Sequence, residues 1–333
     1  MSETTTALRA AENKVTLVGI LRKKEAKFAR NDKGVETINL SCTIETGENS
    51  EHDVRIYCAR LKADGTPNGW YSGLVTAANE YRSMADLMQQ GMGETEAREQ
   101  ADRVKIVNGS LEAYERFDQQ GTFRSTPSIR ANTLNRVNKE DCAPEARVEV
   151  EMYISKIRPE ARGGEPTGRL IVEGIVPVYQ GAVKPFEFAV DESNAAVIQD
   201  NFSVGQTSKF MAELVNTVTN VREEIKGMMG TEIRNKTTYV HELKIVNCMP
   251  PYPMESKLAY QPADIREALR VREEEYIPSL RNRRNKPAAN RAGFSTPAMS
   301  GMPGFNAPGA MPNNGFAVPA SPMSSAPFSL SDL

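Results

Sequence analysis

The sequence predicts an all-β-dominated chain: two tandem five-stranded barrels, each with a helix between its third and fourth strands, followed by a disordered C-terminal tail. Three observations predict it. Strand-like alternation of apolar and polar residues recurs between residues 13 and 250. A helical stretch interrupts it once in each half, at the same place in the order. Composition then changes abruptly near residue 286. A chain of 333 residues has room for two cores.

In the first half, NKVTLVGIL from residue 13 is a continuous apolar run, with Gly19 placed where a bulge lets a long strand bend. TINLSCTIE puts Ile38, Leu40, Cys42 and Ile44 on one face. DVRIYCARL turns Val54, Ile56 and Cys58 inward and Arg55 and Tyr57 outward. Helical spacing follows at Leu74, Ala77, Ala78, Tyr81, Met84 and Met88, and GETEAREQADR reads as a second, solvated helix. RVKIVNGSLEAYERF, the turn DQQG and TFRSTPSIRANTLNRV supply the fourth and fifth strands. Three strands, a helix and two strands is the order of the OB-fold, a five-stranded Greek-key barrel.

The second half repeats that order. RVEVEMYISKI, RLIVEGIVPVY and KPFEFAV read as strands, DESNAAVIQDNF as a short helix, and TSKFMAELVNTV and TTYVHELKIVN as closing strands. The divisions expected are a flexible N-terminus over 1–12, a first OB-fold domain over 13–143 with a helical insertion near 74–102, and a second OB-like domain over 144–254. A helical and basic linker follows over 255–286, in which Pro262 starts a helix with Ile265, Leu269 and Tyr276 on its apolar stripe. Its end, RNRRNK, is either a phosphate contact or a solubilising boundary. Residues 287–333 are rich in Pro, Gly and Met, show no apolar periodicity and are read as disordered.

Charge and composition exclude several classes. Forty-one Lys plus Arg against 43 Asp plus Glu leave a net charge of −2, so no chain-wide basic field exists and nucleic-acid binding must come from local patches. No apolar run reaches the ~20 residues of a membrane span, and the opening residues lack the pattern of a signal peptide, so a cytoplasmic protein is expected. Four scattered cysteines and two histidines offer no metal-ligand spacing, and no metal or cofactor is expected. Phosphate-cradling glycine loops, HExxH and the nucleophile elbow are all missing, so the chain is read as non-enzymatic.

Several strings of the first half resemble the bacterial and phage single-stranded-DNA-binding protein family over about residues 13–138. They are NKVTLVGIL, TINLSCTIE, VTAANEY at 75–81, the spacing Val104, Ile106, Gly109, Leu111, and Phe117, Asp118, Gln119, Gly121, Arg124 across the turn. Arg116 stands where that family usually places tryptophan, and the third strand begins at His52 and Asp53 rather than at tryptophan. The resemblance implies a protein that coats and protects single-stranded DNA in replication, recombination and repair, in the cytoplasm of the host if the chain is phage-encoded. It also implies a tail that recruits replication and recombination proteins; here APFSLSDL offers Phe328, Leu330, Asp332 and Leu333. A homo-oligomer is compatible with it.

Binding a single strand needs cations for phosphates and flat side chains for bases. Candidates are Arg22, Lys23, Lys24, Lys27 and Arg30 around Phe28 in the charged stretch after the first strand, Arg55 and Tyr57 on the third, and Tyr114 and Arg116 on the fourth. Phe117, Phe123 and Arg124 flank the four–five turn, and Trp70 and Tyr71 lie in a glycine-rich turn. The lysine stretch is otherwise a solvated hairpin, Trp70 and Tyr71 a lid on one end of the barrel, and Tyr114 and Arg116 a surface pair. The second barrel's outer face has three readings: a second stretch of strand, the first barrel, or a partner. The rival to DNA coating is an OB-fold interaction or virion component whose basic loop is incidental.

Overall fold

The computed structural model describes residues 8–227 and 230–285; the tail expectations, Phe328, Leu330, Asp332 and Leu333 included, lie outside the described residues. The first barrel comprises β1 (Asn13–Arg30), β2 (Glu36–Gly47), β3 (Ser50–Ala59), α1 (Gly69–Glu80), α2 (Met84–Gln89), α3 (Glu94–Gln100), β4 (Arg103–Val107), β5 (Ser110–Phe117), β6 (Phe123–Ala131) and β7 (Thr133–Val137). β1, β2 and β3 form an antiparallel meander. β3 then pairs in parallel with β6, β6 with β5, and β4 closes the barrel against β1. With β4–β5 as one interrupted strand and β6–β7 as another, the order around the barrel is one-two-three-five-four-one.

The second barrel repeats that circuit in β8 (Glu145–Arg162), β9 (Glu165–Pro177), β10 (Val183–Val190), α4 (Glu192–Asn201), β11 (Thr207–Gly227) and β12 (Gly230–Cys248). Its third strand, β10, pairs in parallel with its fifth, β12, while β11 returns to β8. Two barrels of the same connectivity, each with helix between the third and fourth strands, make the chain a tandem OB-fold. The first half of β1 pairs with β8, Asn13 opposite Val150 through Val18 opposite Glu145, so the sheet runs unbroken from one barrel into the other. Buried side chains of both barrels accordingly form one connected core, from Leu17 and Ile44 to Val150 and Phe210.

Several elements depart from the sequence reading. The lysine stretch is strand, not loop: Lys23 to Arg30 pair residue for residue with Thr43 to Glu36, beyond a bulge at Arg22. Asn31 organises the actual turn by accepting the backbone N–H groups of Lys33 and Val35. The helix expected from Leu74 to Met88 is two, because Ser83 and Asp86 form a reciprocal capping box that starts a new one, and the expected second helix follows as α3. Trp70 and Tyr71 belong to the first turn of α1, capped by Asn68, rather than to a loop. The fourth strand breaks at Asn108, whose φ is 50°, and at Gly109, where a Cβ would lie 2.6 Å from the Val15 carbonyl oxygen. Its fifth-strand partner breaks at Asn132.

β11 and β12 are longer than their apolar alternation suggests, extending as a paired arm to Gly227 and Gly230. The arm touches the β2–β3 turn of the first barrel, where the Val218 N–H donates to the Asn49 carbonyl. After β12, α5 (Pro262–Val271) runs through a π-helical turn (Arg272–Tyr276) into α6 (Ile277–Asn285). Ile265, fully buried with Tyr260, Ile175 and Val183, fastens α5 to the second barrel, a burial that contributes about 1.5–3 kcal/mol. Among the described residues, no helix is long and apolar enough to cross a membrane.

Candidate nucleic-acid interface

Strand register assembles one open face on the first barrel. Residues directly opposite in a ladder share a face, so Lys27, Asn39 and Tyr57 form one row, Glu25, Ser41 and Arg55 a second, and Lys23, Thr43 and Asp53 a third. The parallel β3–β6 pairing sets Arg130 opposite Arg55, and β5 continues the face with Glu112 opposite Ser128 and Tyr114 opposite Thr126. Ile38, Leu40, Cys42, Val54 and Ile56 alternate with these residues and point into the core.

At its centre is a depression of about 170 Å³ lined by Ser41, Arg55, Tyr57, Tyr114, Ser128 and Arg130, among others. Tyr114 is 38% exposed, with the Arg55 guanidinium 4.2 Å from its ring centroid and that of Arg116 at 5.3 Å. Lys23, Lys27, Arg55, Arg116, Arg124 and Arg130 stand with four carboxylates, Glu25, Asp53 and Glu112 on the face and Asp118 paired with Arg124 at the turn. Lys27 pairs with Glu25 at 3.0 Å and, mainly by hydrogen bonding to it, holds that carboxyl below its usual range. Arg130 pairs with Glu112 at 3.2 Å. Cations therefore exceed anions around an exposed aromatic ring, the combination that binds phosphates and stacks a base.

The other expected site residues lie elsewhere. Lys24 turns to the inner side of the arm, where its ammonium donates to the Ala78 carbonyl at the end of α1. Arg22 is committed to Glu45 and Glu51, at 2.9 and 2.8 Å. Phe28 is 55% exposed opposite Ile38 near the arm's tip, and Arg30 lies 3.8 Å from Glu36. Trp70, 42% exposed, sits on α1, off the ladder, while Tyr71 packs against the barrel core. Phe117 and Phe123 share a T-shaped contact at 5.5 Å on the reverse side of the β5–β6 hairpin from Tyr114. The C-terminal helical segment covers them: Arg281 lies over Phe117 at 5.2 Å and Arg272 over Phe123 at 5.6 Å. Arg124 keeps the ladder's parity and binds Asp118 at 3.1 Å.

Glu115, one step from Tyr114, points inward and its side chain is 1% exposed. Burial acts to raise its carboxyl, but hydrogen bonds from Lys184 and Arg272 outweigh it and hold the group below the usual range. This cluster joins β5, β10 and the C-terminal helical segment, bracing the edge of the face. The sequence reading missed Glu115, although its alternation with Leu111 and Ala113 places it inside. It also missed Asn39, Ser41, Ser128 and Arg130, all of which the same two-residue period marks as outward.

The corresponding face of the second barrel is different. Lys156, Glu173 and Glu187 form one row, and Arg158, Ile171, Ala189 and Lys244 the next. Arg158 binds both Glu173 and Glu187 at 3.0 Å, and Lys244 binds Glu213 at 3.2 Å. Its cations are neutralised within the face, and no aromatic residue stands in these rows.

The family model YorF matches residues 11–282, which takes in both barrels and most of the C-terminal helical segment. The chain belongs to the YorF family. No curated protein sequence matches it. Among solved structures, a deletion mutant of the single-stranded DNA binding protein from Thermus aquaticus superposes with a TM-score of 0.43 and 13% identity, over 74% of this chain and 99% of that one. The wild-type Thermus aquaticus protein gives 0.41 and 13%, over 75% and 97%. A replication protein A heterotrimer bound to single-stranded DNA gives 0.18 and 8%, over 79% of this chain and 70% of that one.

Proposed function

We propose that this YorF-family protein is a non-catalytic single-stranded-DNA-binding protein that engages DNA through the open face of its first barrel. The observation that carries the reading is exposed Tyr114 with the Arg55 and Arg116 guanidiniums at 4.2 and 5.3 Å from its ring, on a face where cations outnumber carboxylates. Bases stack on the ring and phosphates pair with Lys23, Lys27, Arg55 and Arg130. Such binding tolerates any sequence, because every base presents a π-face. The second barrel, whose face is internally neutralised, braces the first through the β1–β8 junction rather than sharing the load. What supports a setting in replication, recombination or repair, a phage-type origin and a partner-recruiting tail is the motif resemblance in the first 138 residues and the composition beyond residue 286.

Because the barrels share a sheet, the test uses the full-length protein. Replacing Arg55 and Arg130 together with glutamine is expected to weaken oligo-dT binding and flatten its salt dependence. Replacing Lys156 and Arg158 in the same way is expected to leave both within error. Equal losses from the two pairs would remove the assignment to the first barrel.

A further inference from the structure

The helical insertion forms a second concavity beside the ladder. α2 and α3 build a small core of their own from Met84, Leu87, Ala97 and Ala101, seated against Ile20 of β1. Buried Glu45 ties the insertion to the barrel, accepting from Arg22 at 2.9 Å and forming an ion pair with Arg98 at 3.3 Å. Between α2 and the β1–β2 arm lies a cavity of about 240 Å³, far above the ~10–15 Å³ that one water molecule needs. Met84 and Ala85 are on one side and Met88, 45% exposed, is one helical turn on; Lys23 and Thr43 line the other, with Glu51 at the rim held by Arg22 at 2.8 Å.

Lys23 and Thr43 are themselves the third row of the open face. On β2, the next outward residue after Thr43 is Ser41, which lines the depression around Tyr114. The cavity is therefore continuous with the ladder. Arg22, at its rim, is committed to Glu45 and Glu51, whereas Lys23 makes no salt bridge among the described residues. One ammonium without a salt bridge thus stands beside the exposed Met88 thioether. Methionine adapts its shape to its neighbour and makes favourable sulfur–aromatic contacts, which suits any base equally.

We propose that this cavity holds a nucleobase at one end of the strand bound on the ladder, with Lys23 on the adjoining phosphate and Met88 against the base. The inference rests on the proposed function and extends the binding track beyond the barrel onto the insertion.

The test is a fluorescence-anisotropy series of oligo-dT lengths on the full chain, comparing wild type with Met88→Glu, Ala85→Trp and Tyr114→Ala. Met88 is exposed, so its replacement leaves the fold intact even if the tryptophan variant is disturbed. On oligonucleotides long enough to reach the cavity, Met88→Glu and Ala85→Trp are expected to bind roughly five- to tenfold more weakly. On the shortest oligonucleotides that bind, they are expected to match wild type. A 2-aminopurine placed at successive positions is expected to change its emission at one terminal position in wild type and not in Met88→Glu. If Tyr114→Ala weakens binding while both cavity variants match wild type at every length, the ladder stands and the cavity is not part of the track. If wild type itself binds no single strand, the proposed function fails and this inference fails with it.

Discussion

Replacing Tyr114 with alanine isolates the stacking contribution. The ring lies on an open face, 38% exposed, with two guanidiniums over it at 4.2 and 5.3 Å. Its loss from the free protein removes two exposed cation–π contacts of about 0.5–1 kcal/mol each, so the change in thermal stability should be small. On the bound strand the same loss removes one stacked base, roughly 1–3 kcal/mol, or about a 5- to 150-fold increase in Kd. Tyr114→Phe keeps the ring and should bind within about threefold of wild type, since stacking does not use the hydroxyl. Anisotropy with labelled oligo-dT at fixed salt reads both variants, and circular dichroism confirms their fold. A folded Tyr114→Ala protein that binds within twofold of wild type would refute the reasoning, because the ladder would then lack its aromatic platform.

Four further outcomes follow from the same geometry. Lys23→Gln and Lys27→Gln should each flatten the salt dependence of single-strand binding by about 0.7. Lys24→Ala should leave that slope unchanged and lower stability by about 1 kcal/mol, since its ammonium serves the Ala78 carbonyl; a changed slope for Lys24 alone would reverse the assignment. Burial pushes the His52 imidazole down to about 4 from its ordinary 6.5. Its contribution is therefore complete above pH ~6.5 and is lost as pH falls toward and below 4, by roughly 3 kcal/mol in all. Urea denaturation at pH 7.5 and 4.5 should show a larger acid loss in wild type than in His52→Gln, and equal losses would count against a buried neutral histidine. Glu115→Ala leaves Lys184 and Arg272 buried without their shared carboxylate. It should cost about 3–5 kcal/mol in chemical denaturation, and a loss under 1 kcal/mol would mean the cluster does not brace the C-terminal helical segment.

The parts of the fold with strict two-residue alternation were readable in advance. Val54, Ile56 and Cys58 are core and Arg55 and Tyr57 are open, because one face of β3 is buried and a slip of one residue would expose it. The order of elements likewise disclosed both barrels. Where alternation carried no burial signal, the reading failed. Lys23 to Arg30 look like a loop because a lysine, an alanine and an exposed phenylalanine, Lys24, Ala26 and Phe28, hold the inward positions opposite buried Cys42, Leu40 and Ile38, so no run of large apolar residues marks the period. Phe117 and Phe123 were grouped with Tyr114 by proximity along the chain, yet β5 parity puts Phe117 with Leu111 and Glu115 on the opposite side. The cover over those rings comes from Arg272 and Arg281, some 150 residues away, which local pattern cannot reveal. The β1–β8 junction is equally non-local: each strand reads as the first strand of its own barrel, and neither sequence names its neighbour.

The most direct test of single-strand binding by the first barrel is an anisotropy titration of the full-length protein with oligo-dT and with a matched duplex, each at two salt concentrations. The account predicts clear preference for the single strand, with affinity falling as salt rises because several phosphate contacts release counterions. No binding to the single strand at micromolar protein and low salt, or equal affinity for the duplex, would contradict it.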